Sequence, residues 1–308
     1  MLGKEDVEVS MVNERILANI LLNNTDIPTQ LPSTCTLGAI LRREDPRDAV
    51  IFSPRLPKNT TLRTLPEGSV IGTSSVRRTA QLARQYPHLK FQSVRGNIGT
   101  RLNKLDVEDS PYSAIILAAA GLIRMGWKDR ISSYLSSKTT EMPDQSSTEE
   151  APPAPHAKLE KQKEEASATS WGMLHAVGQG ALALETRLGD EWMLGLLKPL
   201  HDKETALACL AERSLMRTLE GGCSVPIGVE TSWGDKEDEV DLTMKAIVAS
   251  VDGSRIATGE ITRRIQTEKE SDEFGWEMAK LLLDRGAGDI LKDINLNRDI
   301  LEKQADNA

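Results

Sequence analysis

A chain of 308 residues is long enough for two or three modest domains, and its 39% apolar and 27% charged residues are ordinary for a soluble globular protein. Aromatic residues make up 4%, the net charge is −8 and no apolar run approaches the roughly 20 residues of a bilayer span, which argues against general nucleic-acid affinity and against a membrane role. The opening Met-Leu-Gly-Lys-Glu-Asp-Val-Glu has neither a signal-peptide core nor transit-peptide character, and Cys35, Cys209 and Cys223 form no CxxC pair, so a reducing cytoplasm is the expected setting.

Residues 1–24 carry Val7, Val9, Met11, Val12, Ile16, Leu17, Ile20 and Leu21, a pattern with helical stretches but no clear boundary. Asp26 to Pro32 must be loop, because two prolines break either regular structure. Thr36–Leu41 reads as a short strand, Arg42–Asp48 as a charged crossing, and Ala49–Phe52 as a strand. The next stretch is the best organised. Ser69–Ile71 predicts a strand, Gly72–Ser75 a turn with an N-cap, and Val76–Gln85 a helix. Lys90–Val94 predicts a second strand, Arg95-Gly96-Asn97 a turn, Ile98–Leu105 a second helix and Ser113–Ala118 a third, apolar strand. Strand–helix–strand–helix–strand at this spacing implies a parallel sheet whose ligands sit at the carboxyl ends of the strands, beside the helix N-termini. Arg77, Arg78 and Arg95 fall there. Between Gly72 and Lys104 there is no Asp or Glu, while Arg77, Arg78, Arg84, Lys90, Arg95, Arg101 and Lys104 are all basic. Anion binding is favoured over the alternative, a solvated basic helix face, because charge of one sign focuses anionic ligands.

Ser136–Ser170 is dominated by Ser, Thr, Glu, Lys, Pro and Ala, with Met142 and Leu159 as its large apolar residues, and is expected to be a disordered insertion. Gly178-Gln179-Gly180-Ala181-Leu182-Ala183 matches a degenerate nucleotide fingerprint, but Ser170–His175 before it makes a poor buried strand, and a turn before a helix over Leu182–Leu188 explains it as well. Lys203–Glu220 predicts a strong helix with Ala206, Leu207, Leu210, Ala211, Leu215 and Leu219 on one face, ended by Gly221-Gly222. Cys223 follows in a loop. Val225–Thr231, Asp241–Ser250 and Arg255–Arg263, with an Asp252-Gly253 turn, and a helix over Glu273–Asp284 make a small α+β domain with an antiparallel sheet.

His88, His156, His175 and His201 show no ligand spacing, so no metal site is expected. Candidate chemistry is left to the cationic rim, the Gly-Gly-Cys loop and Asp26. For Cys223 one reading is a small loop residue. Past a helix C-terminus and near Glu220 its thiolate is disfavoured, but a covalent tether formed with a strong electrophile needs no such activation. Cys35 and Cys209 are expected in the core. For Asp26 the plain reading is an Asx-turn residue before Pro28.

Leu219–Gly228 (Leu-Glu-Gly-Gly-Cys-Ser-Val-Pro-Ile-Gly) resembles the cofactor loop of the hydroxymethylbilane synthases, also called porphobilinogen deaminases. Glu44-Asp45-Pro46-Arg47-Asp48-Ala49 resembles that family's interdomain crossing, and Ala176–Leu182 its return crossing, which removes the nucleotide reading. Gly72–Arg78 and Arg95–Leu102 resemble its two arginine motifs. The resemblance implies periplasmic-binding-protein-like α/β parallel-sheet domains, the first incomplete, and a small C-terminal α+β domain. It implies a layout of 1–46 with 181–200 as the remnant of domain 1, 47–135 with 171–180 as the cationic domain 2, 136–170 as the insertion and 201–308 as the cofactor-attachment domain. It implies a transferase that joins four porphobilinogen units into hydroxymethylbilane, with ammonia release, on a covalently bound dipyrromethane. Cys223 would hold that cofactor as a thioether, with Ser75, Arg77 and Arg78 binding it. Arg95, Arg101, Arg130 and Gln179 would bind substrate, and Asp26 would be catalytic. Arginine suits this task because its planar fork pairs with carboxylates, and every pyrrole unit carries two. The family is expected to be monomeric.

The match fails before Asp26. Leu22-Asn23-Asn24-Thr25-Asp26 stands where the family usually reads His-Ser-Leu-Lys-Asp, and nothing upstream resembles its opening strand, so at least half of the first domain is expected to be missing or replaced. Three readings follow: a working transferase with a divergent front end, a catalytically dead anion-binding or interaction protein on the same scaffold, or an incomplete chain whose full-length form is the enzyme.

Overall fold

The computed structural model describes residues 31–138, 171–219, 225–234 and 241–294, together with the backbone of Leu21–Asn23. The expectations for residues 1–20, for Asp26, for most of the 136–170 insertion and for Cys223 lie outside the described residues.

In chain order the elements are β1 (Leu21–Asn23), β2 (Cys35–Ile40), β3 (Asp48–Phe52), β4 (Val70–Gly72), α1 (Val76–Gln85), β5 (Lys90–Gln92), α2 (Ile98–Asp106), β6 (Ala114–Ala118), α3 (Ala119–Arg124) and β7 (Ser133–Leu135). There follow β8 (Leu182–Arg187), α4 (Glu191–Leu197), α5 (Lys203–Thr218), β9 (Ile227–Trp233), β10 (Asp241–Ala249), β11 (Ile256–Arg264) and α6 (Glu268–Asp284). Among the described residues the strands form three sheets, ordered β1-β8-β2, β5-β4-β6-β3-β7 and β11-β10-β9.

The middle sheet is mixed rather than purely parallel. β4 runs parallel to β5 and β6, whereas β3 lies antiparallel between β6 and β7. The reason is where the chain enters. It arrives through the 41–47 crossing at the end where β6 finishes, so Asp48 pairs with Ala118 and β3 must run the other way. The apolar strands β3 and β6 are buried along most of their length, with Ile51, Ile115 and Ile116 among the largest fully enclosed side chains. Withdrawing each of these from water contributes about 1.5–3 kcal/mol before the entropy of ordering is set against it.

Three expectations are corrected. Leu182–Arg187 is a strand, not a helix: β8 is the centre of the first sheet, antiparallel to both β1 and β2. Its Ala-Leu-Glu composition favours a helix locally, but pairing on both sides satisfies its backbone and overrides that preference. The last helix begins at Glu268, five residues ahead of the expected Glu273, because Thr267 and Glu270 form a reciprocal capping box. In the third sheet β9, β10 and β11 pair antiparallel, and α5 and α6 cover one face with Leu207, Ala211, Leu215, Phe274, Met278 and Leu282. The other side of α5, at Ala206 and Cys209, packs with Ile40, Ala181 and Ala183 beside the first sheet. That helix therefore bridges two cores. Cys209 is fully buried, but Cys35 is only partly covered, unlike the core residue it was expected to be.

Candidate active site

The rim forms where β4 and β5 end side by side, in register from Val70 opposite Lys90 to Gly72 opposite Gln92. The pairing continues one step through Thr73 N–H to Gln92 O at 3.0 Å. Each chain then turns into a helix. Ser75 caps α1 by accepting from Arg78 N, and Asn97 caps α2 by accepting from Thr100 N at 2.8 Å. Ser74 Oγ donates to Val94 O at 2.7 Å and ties the two turns together. Two helix N-termini, each with partial positive charge and free N–H directions, thus open side by side.

The seven cations of the acid-free stretch do not share this rim. Arg84 is in the last turn of α1 and Lys90 opens β5, both at the opposite end of the layer. Arg95 is exposed at the rim. Arg101 Nε donates to Gly96 O at 2.8 Å and Lys104 Nζ to Arg95 O at 3.0 Å, so both brace the turn that carries Arg95. Arg130 pairs with Asp106 at 2.7 Å, at the far end of α2, and is not brought to the rim. Sequence reasoning overlooked Arg124, whose Nη2 donates to Gly180 O at 2.7 Å in the return crossing. No sequence signal separates it from Arg130.

Arg77 and Arg78 turn inward. They are 4% and 8% exposed, and both grip Asp48, which is wholly buried. Arg77 Nη1 reaches Asp48 Oδ2 at 2.8 Å and Nη2 reaches Oδ1 at 3.2 Å, while Arg78 Nε reaches Oδ1 at 2.9 Å. Gln179 Nε2 adds bonds to Asp48 Oδ1 at 3.0 Å and Pro46 O at 2.6 Å, and Gln179 Oε1 accepts from Arg77 Nη2 at 3.3 Å. The carboxamide of Gln179 is thereby committed to the arginine cluster. Burial alone would push the Asp48 carboxyl up, but Arg77 and Arg78 outweigh it and hold it well below the usual carboxylate range. Two cations against one anion leave a buried net charge of one sign beneath the α1 N-terminus.

A second buried pair joins the crossings to α5. Arg43 Nη1 and Nη2 fork onto Glu212 at 2.6 and 3.0 Å, and Arg43 Nε donates to Gln179 O at 2.8 Å. Glu212 also accepts from Gly178 N at 2.7 Å and Thr231 Oγ1 at 2.6 Å. The two crossings touch directly: Glu44 N donates to Gly180 O at 2.9 Å, and a Cβ on Gly180 would stand 2.4 Å from Glu44 O at a φ of +85°. Only glycine fits there.

His175 lies in the same cluster, 3% exposed, with Nδ1 against Ala176 O at 3.0 Å and no hydrogen-bond partner at Nε2. Burial, with Arg43 adding to it, lowers its pKa to about 4. The folded chain keeps the ring neutral while the unfolded chain protonates it, so the linked stability is present at neutral pH and lost as pH falls from about 6.5 towards about 4, up to about 3 kcal/mol. His175→Gln is expected to flatten the unfolding free energy across that window in urea titrations, leaving the loss below pH about 4 that the paired carboxylates cause. An unchanged slope would show that another group titrates there.

Cys223 and Asp26 lie outside the described residues, so the fold brings neither to the rim on its own showing. The residues on either side of 220–224 are placed: Leu219 and Val225 are buried in the third sheet's core together with Val177, two residues before Gln179.

Among known proteins, a family model described as porphobilinogen deaminase, dipyromethane cofactor binding domain, matches residues 4–149, and one described as porphobilinogen deaminase, C-terminal domain, matches residues 206–284. The porphobilinogen deaminase of Yarrowia lipolytica is 48% identical over 271 residues, spanning 88% of this chain and 69% of that protein. Those of Neurospora crassa and Saccharomyces cerevisiae are 46% and 45% identical over 276 and 274 residues, each spanning 89% of this chain and 72% and 73% of theirs. The likeness therefore extends ahead of and beyond the motifs legible in the sequence.

Proposed function

The chain belongs to the porphobilinogen deaminase family, and from that premise we propose that the rim formed by the N-termini of α1 and α2 holds the carboxylates of a pyrrole chain tethered at Cys223. The family is one of hydroxymethylbilane synthases, transferases that join four porphobilinogen units with loss of ammonia, and its cofactor is dipyrromethane. The residues present fit such a group. A dipyrromethane carrying acetate and propionate arms needs several donors for carboxylate oxygens, and the rim offers two helix N-termini, the hydroxyl of Ser75 and the exposed guanidinium of Arg95. When bound, the cofactor supplies the free pyrrole carbon from which the chain is built.

The observation that carries the reading is the side-by-side opening of α1 and α2, with Arg95 exposed between them and net positive charge buried below. Arg95 and Arg101 would bind and orient the substrate carboxylates. Arg77 and Arg78, committed to Asp48, would act chiefly through the charge they leave beneath Ser75, with Gln179 positioning them. Arg130, paired with Asp106, would be a further contact for substrate carboxylates, and Arg124, which donates to Gly180 O in the return crossing, would brace that crossing. Asp26 would hold pyrrole N–H groups and stabilise positive charge as ammonia leaves. Among the described residues no helix is long and apolar enough to cross a membrane, and a cytoplasmic monomer is the setting proposed.

Intact-mass measurement of the purified chain tests this. The expected result is a dipyrromethane-sized addition on the parent, absent from Cys223→Ala, and a KM for porphobilinogen raised about tenfold or more in Arg95→Ala, the scale of one lost charged hydrogen bond. An unmodified Cys223 with no porphobilinogen consumed would overturn it.

A further inference from the structure

Beside the buried apolar residues Ala80 and Leu82, α1 turns a polar stripe inward whose residues recur at a helical interval. Arg77, Gln81 and Gln85 stand four apart, which advances about 6 Å along the helix axis. Two residues of extended chain advance about 6.6 Å. Two hydrogen-bonding side chains at that interval can therefore reach alternate residues of a chain laid along the helix, as Gln85 and Gln81 do with the returning segment ahead of the crossing, where Arg77 meets the same residue as Gln81. Gln85 Nε2 donates to Gly172 O at 3.0 Å. Gln81 Oε1 accepts from Leu174 N at 2.9 Å, while Gln81 Nε2 donates to Leu174 O at 3.0 Å. Arg77 Nη1 donates to the same Leu174 O at 2.6 Å. Beyond this segment lies the third sheet: His175 bridges Val229 of β9, whose N–H donates to His175 O at 2.8 Å. β9 also touches Gln81 itself, since a Cβ on Gly228 would stand 2.7 Å from Gln81 Nε2 and 2.9 Å from Leu174 Cβ.

We infer that Gln81 is a positioning residue for the reaction, fixing the register between α1, whose N-terminus forms the rim, and β9, the strand that follows Cys223 in the chain. The inference rests on the reading of Cys223 and the rim given above. Gln81 is 2% exposed, and a primary carboxamide offers one donor and one acceptor to the N–H and C=O of a single residue, as a neighbouring antiparallel strand would. A carboxylate in its place still accepts from Leu174 N but faces Leu174 O with a second acceptor. A thioether satisfies neither group. β9 begins four residues after Cys223, so a change of register on α1 is passed to the tether with little chain to absorb it. A misplacement of about 1 Å at a reacting centre can cost about a hundredfold in rate.

The test compares the parent chain with Gln81→Met and with Gln85→Met, which removes the same kind of bond farther from the rim. The measurements are unfolding midpoint, kcat and KM for porphobilinogen, and the mass distribution of species on Cys223. Both variants are expected to lower the midpoint similarly. Gln81→Met alone is expected to lower kcat about tenfold or more with KM within about threefold, and to accumulate partly extended chains. Gln81→Glu, which keeps the side chain's shape, is expected to show the same kcat loss should Gln81→Met fail to fold. Parent-like kcat in the Gln81 variants, or a loss matched by Gln85→Met, overturns the inference alone, provided the parent is primed. A parent with no mass added at Cys223 overturns the tether reading and this inference with it.

Discussion

Asp48→Ala is expected to destabilise the chain by about 3–5 kcal/mol, the range found when one partner of a buried ion pair is removed. The cause is not a lost contact alone. Asp48 is enclosed completely, and it answers two guanidinium groups that are themselves almost wholly covered, at 2.8 Å in both ion pairs. Without it, Arg77 and Arg78 keep their charges in a place that water does not reach, and Gln179 Nε2 loses one of its two acceptors. Asp48→Asn keeps the volume and one acceptor but leaves two buried cations with no anion, so most of the penalty should remain. Asp48→Asn combined with Arg78→Met removes one of those cations and should recover part of the loss, a non-additivity read directly from a double-mutant cycle in urea. Additive losses would show that the cluster is held by packing and not by its charges.

The helices and turns of the middle sheet were legible because their signals are local. Ser75 and Asn97 precede apolar-periodic runs, and both cap the helices expected from them. Thr267 and Glu270 carry an equally local signal, a capping box, that sequence reading passed over. β8 was not legible in the same way. Nothing within Leu182–Arg187 announces the strands on either side of it, which come from Leu21–Asn23 and Cys35–Ile40. The orientation of β3 likewise depends on which end of the sheet the crossing delivers it to.

The site divides along the same line. That cations gather where β4 and β5 end could be argued from spacing, but which of them face outwards could not. The absence of acids between Gly72 and Lys104 suggested free guanidinium groups, yet the acid that binds Arg77 and Arg78 comes from Asp48, well upstream in the chain. Gln81 and Gln85 read as ordinary helix residues until the 172–174 segment is laid against them. Glu212 reads as one more polar residue of a helix defined by its apolar face until Arg43 and Gly178 are brought against it.

That glutamate supports the second large effect. Arg43→Met is expected to cost about 3–5 kcal/mol at neutral pH, because Glu212 is then a buried carboxylate whose remaining partners are Gly178 N and Thr231 Oγ1. The pH dependence should also change sign. In the parent, burial would raise the Glu212 pKa, but Arg43 outweighs burial and lowers it, so the linked stability is present above the unfolded value near 4.5 and lost as pH falls through the folded one. With Arg43 gone, burial dominates and the folded pKa rises above the unfolded one. The group's contribution is then retained at low pH and lost as pH rises through the folded pKa. Urea unfolding between pH 5 and 8 reads this, in a His175→Gln background so that the imidazole does not titrate in the same window. Arg43→Met should be penalised most at pH 8 and least at pH 5, and Arg43→Met with Glu212→Gln should be nearly flat between them. A penalty independent of pH would mean that Glu212 stays ionised without Arg43, and that the backbone N–H of Gly178 and the hydroxyl of Thr231 are enough to hold its charge.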